Sequence, residues 1–477
     1  MSGAGYWITR DVFARALGVV YLIAFVCALN QARPLIGERG LEPIAPWVRA
    51  IPFRRSPSLF HLFPKDWALA TAAWIGIILS CLVIAGVAFR YSSWLAAIIW
   101  GVIWVLYLSF VNAGQTFYGF GWEDILLEAG FFAMFLGARH VEPQPVSLWI
   151  FRWLEFRVMF GAGLIKLRGD DCWRSLTCLN YHYETQPMPN PLSWFFHWAP
   201  QWTHTGGVLF NHFAELIVPF GYFLPQPMAS IAGLLTIVFQ GLIMASGNLS
   251  WLNFLTMVLA LPMITIPGRI PAPDPAGLTY KYCVIGAGIL VGLMSINPVR
   301  NMLSPRQAMN ESFNPLHLVG TYGAFGSITR ERYEIVIEGT RDETLTPDTK
   351  WVEYEFKGKP GDPSRLPPQI APYHLRLDWL MWFAAMNPSP DDPWFFHLMQ
   401  KLLQGDPATL GLMGPNPFPD RPPRFIRAQY YRYNFTTPDE RRATGRWWDR
   451  RLVATYLRPI SLDDPAFRSL IARQGWQ

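Results

Sequence analysis

One lysine stands where an apolar stretch runs out into a polar one. In RVMFGAGLIKLRGDDCWRSLTCLNYHYETQPMPNPLSWFFHWAP, residues 157–200, Lys166 closes the hydrocarbon-like part, Asp170 and Asp171 open the polar part, and Cys172, Cys178, His182 and Glu184 follow. Ionisable groups against an apolar wall are costly unless each finds a partner, so this stretch is the candidate site. A lysine withdrawn from water beside a carboxylate such as Asp170 can serve as an acid or base. The plainer alternative is an amine that snorkels to the interface or pairs with Asp170 only to fix a helix end.

Farther along, Asn211, His212 and Glu215 fall at i, i+1 and i+4 of an apolar segment, which puts His212 and Glu215 on adjacent parts of one helix face. Glu215 needs a partner there, and Lys166 or Arg157 can supply it, as a structural pair or as a proton relay. The candidate catalytic set is therefore Lys166, Asp170, His182, Glu184 and Glu215. Glu123 and Asp124 read as ordinary first-turn acids of a helix. Glu128, five residues in, is not explained that way. Cys172 and Cys178 can close a small disulfide loop if their Cα atoms come within about 6 Å. They can also form a redox pair, although the spacing lacks CxxC geometry. With His182 the two thiols make three metal ligands, but no second cluster of matching spacing accompanies them, so no metal centre is expected and no cofactor is indicated.

Positioning these residues falls to a chain divided in two. It is 51% hydrophobic and 16% charged, with 22 Trp and 41 Pro, and nearly all long apolar runs precede residue 301. That division reads as an α-helical polytopic membrane domain over 1–300, with a polar loop at 167–206, followed by a β-rich α+β extramembrane domain over 301–477. A helix needs about 20 apolar residues to cross a bilayer. Val12–Leu29, Trp67–Phe89 and Trp94–Val111 meet that length, and Val12–Leu29 is read as a retained first span rather than a cleaved signal. Ile125–Ala138, Ser147–Leu167, Val208–Leu224, Met228–Ala245, Trp251–Ile266 and Leu278–Ile296 bring the expected number to about nine, with the fourth and fifth open to a half-buried or re-entrant course. If all nine cross, the amino terminus shares its side with the short connections holding Arg90, Arg139 and Arg269, which makes that side cytoplasmic and puts the polar loop and tail opposite.

In the tail, Tyr333–Gly339 and Trp351–Lys357 alternate as half-buried antiparallel strands, joined by the turn-rich Thr340–Thr349. Leu375–Ala385 and Trp394–Gln404 read as helices. The net charge of +6 rests on the basic clusters Arg421–Arg432 and Arg441–Arg451, read as a solvated surface or a lipid-headgroup contact. No basic run interleaved with stacking aromatics indicates nucleic acid. GxSxG, P-loop, GxGxxG and HExxH patterns are all absent, which removes the common hydrolase, nucleotide and zinc-protease readings.

Several longer blocks carry a family resemblance. GWEDILLEAGFFAMFLGA at 121–138, RVMFGAGLIKLRGDDCWRSLTCLNYHYETQPMPNP at 157–191, LVGTYGAFGSITRERYEIVIEGT at 318–340, YHLRLDWLMWFAA and YYRYNFTTPDERRATGRWW resemble the lipase maturation factor family. The resemblance implies a membrane-anchored chaperone of protein maturation that helps secreted clients such as lipases fold, with the carboxyl-terminal domain on the non-cytoplasmic side. The 157–191 block matches the family's hallmark loop, and 318–340 the domain used on clients. It brings no catalytic residue. Against animal members of the endoplasmic reticulum this chain is short and poor in cysteine, and it lacks a retention tail at Gln477. It is therefore read as a bacterial homologue in the inner membrane with a periplasmic tail, or an endoplasmic reticulum protein if eukaryotic. A second likeness, Ala162-Gly163-Leu164-Ile165-Lys166-Leu167 followed by Asp171 and Trp173, is similar to the AGxxKL…DW segment of the vitamin K-dependent γ-glutamyl carboxylase family. It implies the alternative, a membrane enzyme acting on a quinone or lipid-like substrate, with Lys166 as acid or base and Glu215 or His182 beside it.

Overall fold

The computed structural model describes residues 3–268 and 274–475. Arg269, one of the three short-loop arginines used for orientation, lies outside the described residues. Among the described residues the front part is built chiefly from α1 Trp7–Ile36, α2 Asp66–Ile84, α3 Ser93–Ala113, α4 Gly121–Ala133, α5 Pro145–Arg168, α6 Leu179–Thr185, α7 Gln201–Leu216, α8 Met228–Ser246, α9 Leu252–Leu259 and α10 Leu278–Met294, with shorter helices and turns among them. Among the described residues five helical stretches are long and apolar enough to cross a bilayer: α1, α2, α3, α8 and the run Leu278–Leu303 that α10 begins.

The other four expected spans are helical but differ in physical character. α4 has 13 residues and carries Glu123, Asp124 and Glu128. α5 has 24 but holds five basic or acidic side chains, Arg152, Glu155, Arg157, Lys166 and Arg168. α7 stops at Leu216 and a separate short helix restarts at Val218 with Pro219 in its first turn. α9 stops at Leu259 ahead of a 3-10 turn containing Pro262, because proline cannot continue the hydrogen-bond ladder.

The tail holds a four-stranded antiparallel sheet in the order β2-β1-β3-β4, where β1 is Arg332–Thr340, β2 Val352–Tyr354, β3 Phe425–Phe435 and β4 Trp448–Ile460. Helices α11 Arg376–Ala384, α12 Pro393–Gln404 and α13 Pro465–Gln474 accompany it. Alternation sets the register. In β3, Ile426, Ala428 and Tyr430 are buried, and Ile335 of β1 pairs with Tyr430. β2 is shorter than the alternation of 351–357 suggested, because the chain leaves the sheet after Tyr354 and the Glu355 carbonyl accepts from the Gly414 N–H at 2.8 Å. Part of each basic cluster lies in the sheet: Arg427 pairs with Glu338 at 2.5 Å, Arg432 with Glu331 at 3.0 Å and Arg450 with Glu353 at 2.5 Å. These three form ion pairs across strands, while Arg421, Arg424, Arg446 and Arg451 of the same clusters are exposed.

One hydrophobic core runs through both parts of the chain, from Phe25 and Leu126 in the helices to Trp379 and Ile337 in the tail. The segment after α10 makes this possible by passing back over the bundle. Gly320 and Tyr322 reach the middle of α4 and α5, where the Tyr322 hydroxyl donates to Glu128 at 2.7 Å and Arg157 donates to the Gly320 carbonyl at 2.7 Å.

Candidate functional site

Gly163 lets α5 and α7 approach closely; a Cβ added there would meet Glu215 at 3.0 Å and Leu216 at 2.7 Å. That approach brings Lys166, one turn farther along α5, onto the face of α7 where Asn211 and Glu215 stand at i and i+4. The buried Lys166 ammonium donates to Asn211 Oδ1 at 3.2 Å and to a carboxylate oxygen of Glu215, whose other oxygen accepts from Asn211 Nδ2 at 3.0 Å. Its Nζ also lies 5.1 Å from the Trp173 ring centroid. The trio is closed on itself and carries no net charge.

Asp170 takes no part in it. The chain turns at Gly169, where a Cβ would collide with the Gly326 carbonyl oxygen, so the loop is pressed against the tail. Asp170 there pairs with Arg330 at 2.6 Å and accepts from the Cys172 N–H at 2.9 Å. The Arg330 guanidinium holds the Asp170 carboxyl down to about 2, so Asp170 is an ionised clasp between loop and tail. Cys172 and Cys178 are joined as a disulfide, their Cα atoms 4.7 Å apart, and pack with Trp173, Val208 and Ile328.

His182 follows on α6. Its ring meets Phe325 edge-on with centroids 5.3 Å apart and has no side-chain hydrogen-bond partner among the described residues. Burial, with the Lys166 charge nearby, pushes its imidazole down to about 4, so the ring is neutral at physiological pH. Glu184, two residues on, faces the sheet instead. It accepts from the Phe435 N–H of β3, and burial raises its carboxyl above the usual range. Neighbouring Arg332 of β1 donates to the Glu184 carbonyl at 3.1 Å and to the Pro187 carbonyl at 3.0 Å, and pairs with Glu334 at 2.5 Å.

Lys166, His182 and Glu215 thus share one place, the wall of a chamber of about 660 Å³ where α5, α7, α8 and α9 meet residues 322–327 and α11. Asp170 and Glu184 stand outside it. Among the residues of its wall that sequence reasoning passed over are Gln240, Asn253 and Trp379. The signal for the first two was available, a lone amide inside each of two apolar runs. Asn253 donates to Gln240 at 2.7 Å, which donates in turn to the Met159 sulfur at 3.2 Å. Trp379 arrives from more than 150 residues after α6, and no local pattern announces it.

Two further buried pairs lie nearby. Glu128 and Arg157 are paired and capped by Tyr322, and Arg376 of the tail pairs with Glu123 of α4 at 2.7 Å. So Glu215 takes Lys166, and Arg157 answers the carboxylate that capping left unexplained.

The family model described as the lipase maturation factor transmembrane domain matches residues 8–266, and that described as the lipase maturation factor C-terminal domain matches residues 318–458. Relatives include "Lipase maturation factor 1" of Bos taurus, 43% identical with 99% of this chain and 92% of the relative covered, and its namesake in Homo sapiens, 43% identical with 99% and 90% covered. "Lipase maturation factor 2" of Xenopus laevis is 28% identical, with 98% of this chain and 84% of the relative covered. No solved structure matches. The quinone-acting alternative finds no support in these relatives. Both models in order, and 43% identity along nearly the whole length of two relatives, show that the chain belongs to the lipase maturation factor family.

Proposed function

We propose that this protein is a membrane-anchored maturation factor for secreted proteins such as lipases, and that its tail binds the client. The observation that carries the reading is the near full-length likeness to relatives named for lipase maturation, which extends through the tail as well as the helices. The shape of the sheet supports it. β4 is a 13-residue edge strand whose outer residues Leu452 and Val453 are 50% and 52% exposed, whereas the opposite edge, β2, has three residues. A long edge presents unpaired backbone groups on which an extended segment of a partly folded client can align.

In this reading residues 1–300 anchor the protein and 301–477 meet the client. The four shorter or charged helical stretches complete a nine-crossing bundle, and positive short loops set the amino terminus in the cytoplasm. Polar loop and tail then face the periplasm of a bacterial inner membrane, or the lumen in an endoplasmic reticulum setting.

Co-expression with a secreted lipase tests the reading. Leu452→Asp with Val453→Asp is expected to lower secreted lipase activity at least fivefold at unchanged level of the membrane protein. Full activity from this variant would remove the tail from client binding.

A further inference from the structure

We infer that the chamber beside Lys166 is a binding site for one uncharged amphipathic lipid of the monoacylglycerol class, a single apolar chain ending in hydroxyl and ester-carbonyl groups. The inference goes beyond the maturation reading and stands or falls separately from it. At about 660 Å³ the chamber has the volume of a small-molecule site, which admits one chain with a small head and excludes a two-chain lipid. Much of its wall is apolar or aromatic, with Met159, Phe210, Phe239 and Trp379 among its residues.

Polar groups on that wall set the head. Lys166 is neutralised by Glu215, and Asn211 is spent on both. A charged head would therefore lose its hydration and gain no counter-ion, a loss that an uncharged head escapes. Besides Asn253 Oδ1 and the Trp122 and Trp379 indole N–H groups, which are buried without a partner among the described residues, His182 is an open member. It is 9% exposed, lines the chamber, and its ring nitrogens have no partner among the described residues. A neutral imidazole offers one donor and one acceptor, which suit an ester carbonyl and a hydroxyl.

The route in is lateral. On α8 the exposed side chains Ile231, Leu234, Val238 and Leu242 recur every three or four residues, which makes them one bilayer-facing stripe. Leu242, 49% exposed, also lines the chamber. The surface that meets hydrocarbon therefore continues into the cavity, and a molecule dissolved in the bilayer reaches it without crossing water.

The test uses the full chain in phosphatidylcholine nanodiscs and a monoacylglycerol brominated on its acyl chain, read by quenching of tryptophan fluorescence, since Trp122, Trp173, Trp379 and Trp382 all line the chamber. Saturable quenching, displaced by the unbrominated monoacylglycerol and at least tenfold less well by a fatty-acid carboxylate or a quinone, is the expected result. Ala162→Phe, which fills the wall, and His182→Phe, which removes an open polar group, should each weaken binding at least fivefold, while Ile289→Phe at an exposed position of α10 away from the chamber leaves it unchanged. Quenching that rises without saturation, or displacement by the carboxylate or quinone as effective as by the monoacylglycerol, overturns the inference. The wild-type titration decides this even where a variant fails to accumulate.

Discussion

Two buried ion pairs at the junction of helices and tail use the same chemistry to different ends. Arg376 and Glu123 lie in filled core, each fully buried, with the Tyr118 ring 3.6 Å from the guanidinium. Lys166 and Glu215 are nearly as buried, and each pair has a histidine nearby, His374 for the first and His182 for the second, yet only the second borders the void. The first pair joins a residue of the tail to one of the bundle across more than 250 positions of sequence. The second joins neighbouring helices of the bundle and leaves space in front of itself. Burial of charge alone therefore does not mark a site here; what distinguishes the site is a charge-balanced group with room before it.

The largest expected effect comes from breaking the filled pair. Arg376→Met leaves the Glu123 carboxylate buried without its cation, a change that costs about 3–5 kcal/mol. It should appear as a large drop in the thermal unfolding midpoint of the detergent-purified protein. Lys166→Met should cost less, about 1–3 kcal/mol, because Asn211 still donates to Glu215 and the chamber has room for water. Equal losses from the two variants would erase the distinction. Cys172→Ser opens a loop of five intervening residues and should cost about 2 kcal/mol without changing the chamber's tryptophan signal.

Acid titration sharpens the comparison further. The His182 imidazole is pushed from 6.5 to about 4, so its contribution to stability is complete above 6.5 and is lost as pH falls toward 4. The Asp170 carboxyl is lowered from 3.8 to about 2 by Arg330, so its contribution is complete above 3.8 and is lost only as pH falls toward 2. Unfolding midpoints measured against pH should show His182→Phe flattening the upper limb and Asp170→Asn the lower one. A single limb abolished by either variant would mean that chamber and clasp titrate as one unit.

Apolar length makes α1, α2, α3 and α8 legible in the amino-acid order alone, and alternation does the same for β1 and its pairing with β2. Strands β3 and β4 are hidden there because arginines interrupt their apolar positions, and the glutamates that answer those arginines, Glu331, Glu338 and Glu353, lie far upstream in or beside β1 and β2. The density of groups at 157–200 pointed to the right neighbourhood. It could not separate His182, which meets the chamber, from Glu184, which meets β3, because the turn of α6 that parts them is decided by what packs on either side. Asp170, four residues after Lys166, suggested a pair, and the competing partner, Arg330, is 160 residues downstream. Local spacing gives candidates; long-range packing chooses among them.

The returning segment at Gly320 and Tyr322 has a consequence for biosynthesis. Helix α4 is made, with Glu123 and Glu128, long before the ribosome has made Tyr322 and Arg376, so during synthesis the half-made bundle holds acids whose final partners do not yet exist. Maturation of this protein is then completed by its own late residues, and a chain stalled between α10 and α11 would present an unfinished, acid-bearing surface to whatever quality control surveys the membrane.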